Sequence, residues 1–219
     1  MTLDEIAPYS DGNGMTKAYA TADADNIQVM GEDGNYKNYF LSNGQSGKGG
    51  TTYTAELDGK WLQKAGVACT DTVQPGQALW YISRTAATTP HNITIAGQVL
   101  MTAETAEKAC STTYTLIGNP YAVAVPLNGG VVTTGATKAY ATADADNIQV
   151  MGEDGNYTNY FLSNGQSGKG GTTYTAELDG KWLQKAGVAC TDTIPVGGAF
   201  WYISRSASST VKLVNPLAE

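Results

Sequence analysis

Asp23 and Asp25, with Glu32 and Asp33 shortly after, place carboxylates at alternating positions in a short polar stretch, and Asp144 and Asp146 repeat the arrangement later in the chain. Alternating carboxylates open the loops that wrap calcium, a hard cation that takes oxygen ligands. The glycine and the closing glutamate of such a loop are missing. The expectation is therefore no cofactor, with calcium near Asp23, Asp25 and Asp144, Asp146 as the one cation these residues would suit. Ser42 to Thr51 is rich in glycine around Lys48, yet Ser42 stands where a phosphate loop needs its first glycine and Gly49 follows the lysine, which argues against nucleotide binding. Glu56 and Asp58, with Glu177 and Asp179, have the residue types that flank a glycosidic bond in hydrolases. On a strand leading into a turn, they read instead as a wet face. His91 is the single histidine and belongs to one half of the chain, so a Ser-His-Asp arrangement has no second copy. No nucleophile, base and orienting group recur together, and the expectation is a protein without enzymatic activity.

Aromatic residues carry a stronger signal. Tyr36, Tyr53 and Trp61, with Tyr157, Tyr174 and Trp182, fall beside turn signals, where flat rings can stack on the apolar faces of sugars. They are the expected glycan-contacting platform, while Phe40 and Trp80 are expected in the core. Of three cysteines, Cys69 and Cys190 are equivalent and Cys110 stands alone, so Cys110 can pair with Cys69 or with Cys190, or all three can be free.

The elements that must position these residues come in duplicate. Thr16 to Thr72 returns as Thr137 to Thr193, a constant shift of 121 residues (137 − 16), with Lys37 against Thr158 as the one difference; Trp80 to Arg84 returns as Trp201 to Arg205. A unit of this length is a domain with its own core. The expected boundary gives 1–108, with 100–108 as a connector, and 109–219. Abundant Gly, Thr, Tyr and Asn, with only 15% charged residues, favour short strands and turns over amphipathic helices. The expected strands are Thr16–Thr21, Asn26–Met30, Tyr36–Leu41, Thr51–Leu57, Gln77–Arg84 and Asn92–Val99, with Val211–Val214 closing the second copy. Ile27 to Leu41, around Asp33-Gly34, is the clearest hairpin. Asn43–Gly50 reads as a flexible loop, Leu57–Trp61 as a turn, and Thr102–Ala109 as two helical turns. Thr2–Tyr9 and Thr115–Tyr121 read as equivalent opening strands. The fold class is all-β, two tandem antiparallel β-sandwich or partly open barrel domains.

The net charge of −7 argues against nucleic acid, whose binding draws on lysine and arginine. No apolar run is long enough to span a membrane. The first residues lack the pattern of a leader, and the composition favours an exported chain whose leader is absent.

Tyr114-Thr115-Leu116-Ile117-Gly118-Asn119-Pro120-Tyr121 resembles the opening motif of repeat β-sandwich domains in large secreted bacterial surface proteins. There, an aromatic hairpin, a tryptophan-containing turn, a Pro-Gly and an aromatic strand follow. Asn26–Leu41, Asp58–Trp61, Pro75-Gly76 and Ala78–Tyr81 supply them here, in order over nearly the whole unit. The first copy lacks the Gly-Asn, and the second has Val196-Gly197 for Pro-Gly. The resemblance implies a secreted or cell-surface β module with no assigned active site. Its expected role is structural or adhesive, its expected partners are other protein chains, copies of itself or glycans, and assembly is expected head-to-tail through exposed strands Thr2–Ile6 and Val211–Val214. The alternative is a carbohydrate-binding module.

Overall fold

The computed structural model describes residues 1–31, 33–85, 100–105, 107–110, 114–152 and 154–218; Glu32, His91 and the expected strand Asn92–Val99 lie outside them. The chain divides into two compact units, Met1–Gln98 and Val99–Glu219. The first has one helical turn, α1 (Leu3–Ile6), and strands β1 (Asn26–Met30), β2 (Tyr36–Ser46), β3 (Thr52–Leu62) and β4 (Leu79–Ile82). They form an antiparallel sheet in the order β3-β2-β1-β4. The second has β5 (Lys108–Cys110), β6 (Tyr114–Gly118), β7 (Val125–Pro126), β8 (Val131–Thr134), β9 (Asn147–Met151), β10 (Tyr157–Ser167), β11 (Thr173–Lys185), β12 (Val188–Ala189), β13 (Thr193–Ile194), β14 (Ala199–Ile203) and β15 (Ser209–Leu213). A six-stranded sheet runs β12-β11-β10-β9-β14-β6, a three-stranded sheet runs β5-β15-β8, and β13 pairs with β7. The architecture is all-β and sandwich-like, with several antiparallel sheets and no closed barrel. Among the described residues, no helix is long and apolar enough to cross a membrane.

The alternation of side chains along each strand builds the core. In the second unit Ile148, Tyr160, Leu162, Trp182, Phe200 and Tyr202 from the long sheet meet Val211 and Leu213 from the short one. Ile27, Val29, Tyr39, Leu41 and Trp61 form the corresponding core of the first unit. The Asp-Gly turn closes as expected: the Gly31 N–H donates to Asn35 O at 2.8 Å, and Asp33 Oδ1 accepts from the Asn35 N–H at 3.0 Å. Met30 faces Tyr36 across it.

Several local expectations give way to long-range pairing. Asn43–Ser46 is strand, and the chain reverses only at Gly47–Gly50. Register shifts between Leu41 and Gln45 are stabilised by local side chains: Ser42 Oγ accepts from the Gly44 N–H at 2.9 Å and Asn43 Oδ1 from the Gln45 N–H at 3.1 Å. Gly44, at φ +75°, lies under the Tyr53 ring, where a Cβ would stand 2.7 Å from the ring carbon Cε2. Leu57–Trp61 is not a turn but the end of β3, which puts Trp61 opposite Leu41. Thr16–Asp25 is not a strand. It crosses the sheet, with the Ala18 N–H donating to Leu41 O and the Asn43 N–H to Ala18 O, at 3.0 and 3.1 Å, and packs Ala18 and Ala24 against Phe40 and Leu62.

The two opening segments are not equivalents. Thr2 bridges Thr72, just as Pro126 pairs with Thr193, so Thr2-Leu3-Asp4 matches Pro126-Leu127-Asn128. The backbone N–H of Trp61 donates to Asp4 Oδ1 at 2.9 Å, and that of Trp182 to Asn128 Oδ1 at 2.7 Å. Strand β6 has no counterpart among the described residues of the first unit. Its Gly-Asn-Pro-Tyr end is a latch: Asn119 Nδ2 donates to Val123 O at 2.8 Å and Pro195 O at 3.0 Å, and the Tyr121 hydroxyl donates to Leu213 O at 3.1 Å.

Residues 102–109 are not helical where described. Glu104 bridges Val214, the Thr105 N–H donates to Leu213 O at 2.8 Å, and β5 adds to β15. Short helices gain little from local bonds alone, so a strand edge that accepts hydrogen bonds wins. The terminal strands are also engaged: Leu3 and Ile6 are buried in a helical turn, and β15 is paired on both sides by β5 and β8. Strand addition through those two segments is overturned. A fragment Val99–Glu219 is expected to fold alone by far-ultraviolet dichroism, whereas Ser111–Glu219, lacking β5 and the buried Cys110, should melt at a lower temperature; equal melting would contradict the role given to β5.

Candidate functional site

The carboxylates sort by what surrounds them. Asp25 is 0% exposed: its Oδ1 accepts from the Arg84 N–H at 2.6 Å, and its Oδ2 from the Thr16 N–H at 3.1 Å and from the Tyr81 hydroxyl. Asp146 is equally buried, with Oδ1 accepting from the Arg205 N–H at 2.6 Å and Oδ2 from the Tyr202 hydroxyl at 2.5 Å. Ser204 Oγ extends this second network to Ser209 Oγ at 2.6 Å, and so from the long sheet to β15. Protein donors engage both oxygens of each carboxylate, while Asp23 and Asp144 lie in exposed turns. The expected calcium pairing of Asp23 with Asp25, and of Asp144 with Asp146, thus separates into one exposed and one buried group. Among the described residues, no three His, Cys, Asp or Glu side chains are grouped to hold a metal ion. Asp58 and Asp179 form ion pairs with Lys17 and Lys138, at 2.9 and 2.8 Å.

The expected glycan platform does not assemble. Trp61 and Trp182 are each 1% exposed and belong to the two cores, because β3 and β11 continue through the expected turn. The indole N–H of Trp61 donates to Ala7 O at 2.7 Å. Tyr53 and Tyr174 are each 60% exposed, but their rings cover Gly44 and Gly165 in the long hairpins. Tyr36 and Tyr157 are exposed on the outer face of the sheet, apart from the other two. Phe40 is buried as expected, while Trp80 is only half-buried.

The structure instead brings together a row that single strands conceal. Trp80 faces Gln28, and Gln28 faces Asn38 with its Nε2 donating to Asn38 Oδ1 at 2.7 Å. In the second unit Trp201 faces Gln149, and Gln149 faces Asn159. These residues sit at the parity opposite the core, so an indole and two amides lie side by side across three strands on the second face of each sheet, Asn38 and Asn159 exposed and the other four half-buried. Tyr36 and Tyr157 are the next outward positions on β2 and β10, and Tyr114 meets Trp201 edge-on at 6.0 Å. Aromatic faces with adjacent amides can stack on an apolar ring and bond its hydroxyls. The signal in the sequence is the alternation Gln28, Met30 and Tyr36, Asn38 about one turn; the place of Trp80 depends on β4 joining β1.

All three cysteines are free. Cys110 lies on the β5–β15 ladder, donating to Lys108 O at 3.5 Å, whereas Cys190 Sγ accepts from Asn128 Nδ2 at 3.5 Å. The expected bridge from Cys110 is thus not made to either candidate. Burial pushes both of these thiols upward, which lowers their reactivity.

No protein-family model, no curated protein and no solved structure matches the chain.

Asp146→Asn should replace an acceptor with a donor facing hydrogen-bond donors, costing roughly 3 kcal/mol or more; urea denaturation should show the second unit unfolding earlier while the first, with Asp25 intact, does not. Burial, and then the carboxylates of Asp71, Asp25, Asp192 and Asp146, hold Tyr39, Tyr81, Tyr160 and Tyr202 above the ordinary phenol value. Because these folded values are raised, their contribution to stability is full below about pH 10 and is lost as pH rises above it. Phenolate absorbance should therefore show these four tyrosines ionising only together with unfolding, followed by dichroism; their ionisation in the folded chain would contradict the assignment.

Proposed function

We propose that the chain is a non-enzymatic tandem module with a structural or adhesive role, secreted or displayed at a bacterial surface. The observation that carries this reading is the recurrence of one outer-face row, Trp80-Gln28-Asn38 and Trp201-Gln149-Asn159, on two separately cored units. Duplicating a contact surface raises avidity when both copies engage, without new chemistry. The use of Asp25 and Asp146 as internal hydrogen-bond acceptors supports a scaffold over a reaction centre. The partners proposed are surface proteins, further copies of the chain, or glycans. Carbohydrate is the second reading, favoured by the indole beside two amides in each row. It moves the proposed contacts from Trp61 and Trp182 to Trp80 and Trp201.

Retention on bacterial cells, on immobilised matrix proteins and on a glycan array tests both. Trp80→Ala or Trp201→Ala alone should reduce retention of the full chain about 100-fold, within the usual range for lost avidity, and the double variant should abolish it. Binding confined to the glycan array selects the second reading. Undiminished retention by a folded double variant would overturn both.

A further inference from the structure

The two units share Lys17 and Lys138, Asp58 and Asp179, Gly59 and Gly180, and Trp61 and Trp182 at equivalent places, but they differ in what covers these residues. In the first unit the cover is Tyr9. Its ring lies over Gly59, so close that a Cβ there would stand 2.9 Å from the ring carbon Cδ1. Lys17 Nζ sits over the ring, 4.4 Å from its centroid, and pairs with Asp58. The phenol hydroxyl points outward and donates to Asp11 Oδ1 at 2.8 Å.

In the second unit the receptor is retained and the ring is gone. The segment between Asn128 and Thr137 is three residues shorter than that between Asp4 and Thr16 and carries no aromatic residue; Thr133 lies in it, beside Gly180, and Ala136 takes the place of the buried Met15. Among the described residues, no atom beyond its chain neighbours lies within 4 Å of a Cβ built on Gly180. A pocket of about 440 Å³ opens there, its walls including Thr133, Ala136, Lys138, Gly180 and Trp182. That volume is in the range of small-ligand sites. Lys138 is still held by Asp179 at 2.8 Å, poised as Lys17 is over its ring. A cation fixed at the mouth of a cavity favours the electron-rich face of an aromatic ring.

We propose that this pocket binds a tyrosine side chain presented by a partner polypeptide. The ring would lie against Gly180 with Lys138 Nζ over it and its hydroxyl at the rim, as Tyr9 lies against Gly59 with Lys17 Nζ over its ring. The first unit carries its own ligand; the second takes one from outside.

The test is titration of the full-length, nitrogen-15-labelled chain with N-acetyltyrosinamide, followed by amide shifts. Saturable shifts are expected at Gly180 and Lys138 with half-saturation at roughly 1 mM, a weak affinity suited to a single side chain, and none at Gly59 or Lys17. N-acetylleucinamide should give no saturable shift. Thr133→Tyr supplies the ring internally and should abolish the response, while Lys138→Gln should weaken it several-fold, which keeps the proposal testable if the first variant does not fold. The absence of saturable shifts at Gly180, equal shifts at Gly59, or an unchanged response in a folded Thr133→Tyr chain would overturn it.

Discussion

A carboxylate with no access to water holds each unit together. Removing such a charge from solvent is costly unless hydrogen bonds replace its hydration. Asp25 and Asp146 achieve this by collecting donors from distant parts of the chain: the hydroxyl of the last aromatic strand and the backbone just beyond it, joined in the first unit by the start of the crossing segment. The acceptor is satisfied only when those segments converge, so the requirement itself selects their arrangement. Charge-assisted bonds of this kind are stronger than neutral ones, and losing one partner leaves the others unmet. In the second unit the network continues through Ser204 to Ser209, coupling the long sheet to the short one. The first unit follows the same plan through Tyr81 and Arg84.

Around this shared centre, the copies diverge where their flanking segments differ. The duplicated stretch folds alike in both units, down to the Asp-Asn turn, the bulged hairpin and the tyrosine laid over glycine. The covers do not. A helical turn and Tyr9 close one unit, whereas the turn Leu127–Gly130 and β8 leave the equivalent surface of the other hollow. A duplicated scaffold can thus keep its interior while its rim changes, because core packing tolerates little change and surface segments tolerate much.

The outer sheet face has a different character from the rim. Its Trp, Gln and Asn row depends on strand register, which is the same in both units, so it recurs in each. A site built on mobile loops would lose binding energy to ordering them.

Much of this was legible in residue order alone. Repeat length, turn chemistry at Asp33-Gly34 and alternation along Asn26–Met30 and Tyr36–Leu41 determine the all-β class, the duplication and the central hairpin, because these signals act between residues close in sequence. Long-range hydrogen bonding decided the rest. Trp61 reads as exposed from the Asp-Gly beside it, yet pairing with Leu41 carries the strand through and buries it; Thr102–Ala109 has a helical composition, yet the edge of β15 takes up its C-terminal end as strand. The same reason separates Asp25 from Asp23, sets Trp80 beside Gln28, and opens a pocket beside Gly180. In each case the deciding partner lies tens of residues away, and no local pattern specifies which distant group will satisfy a buried donor, acceptor or ring.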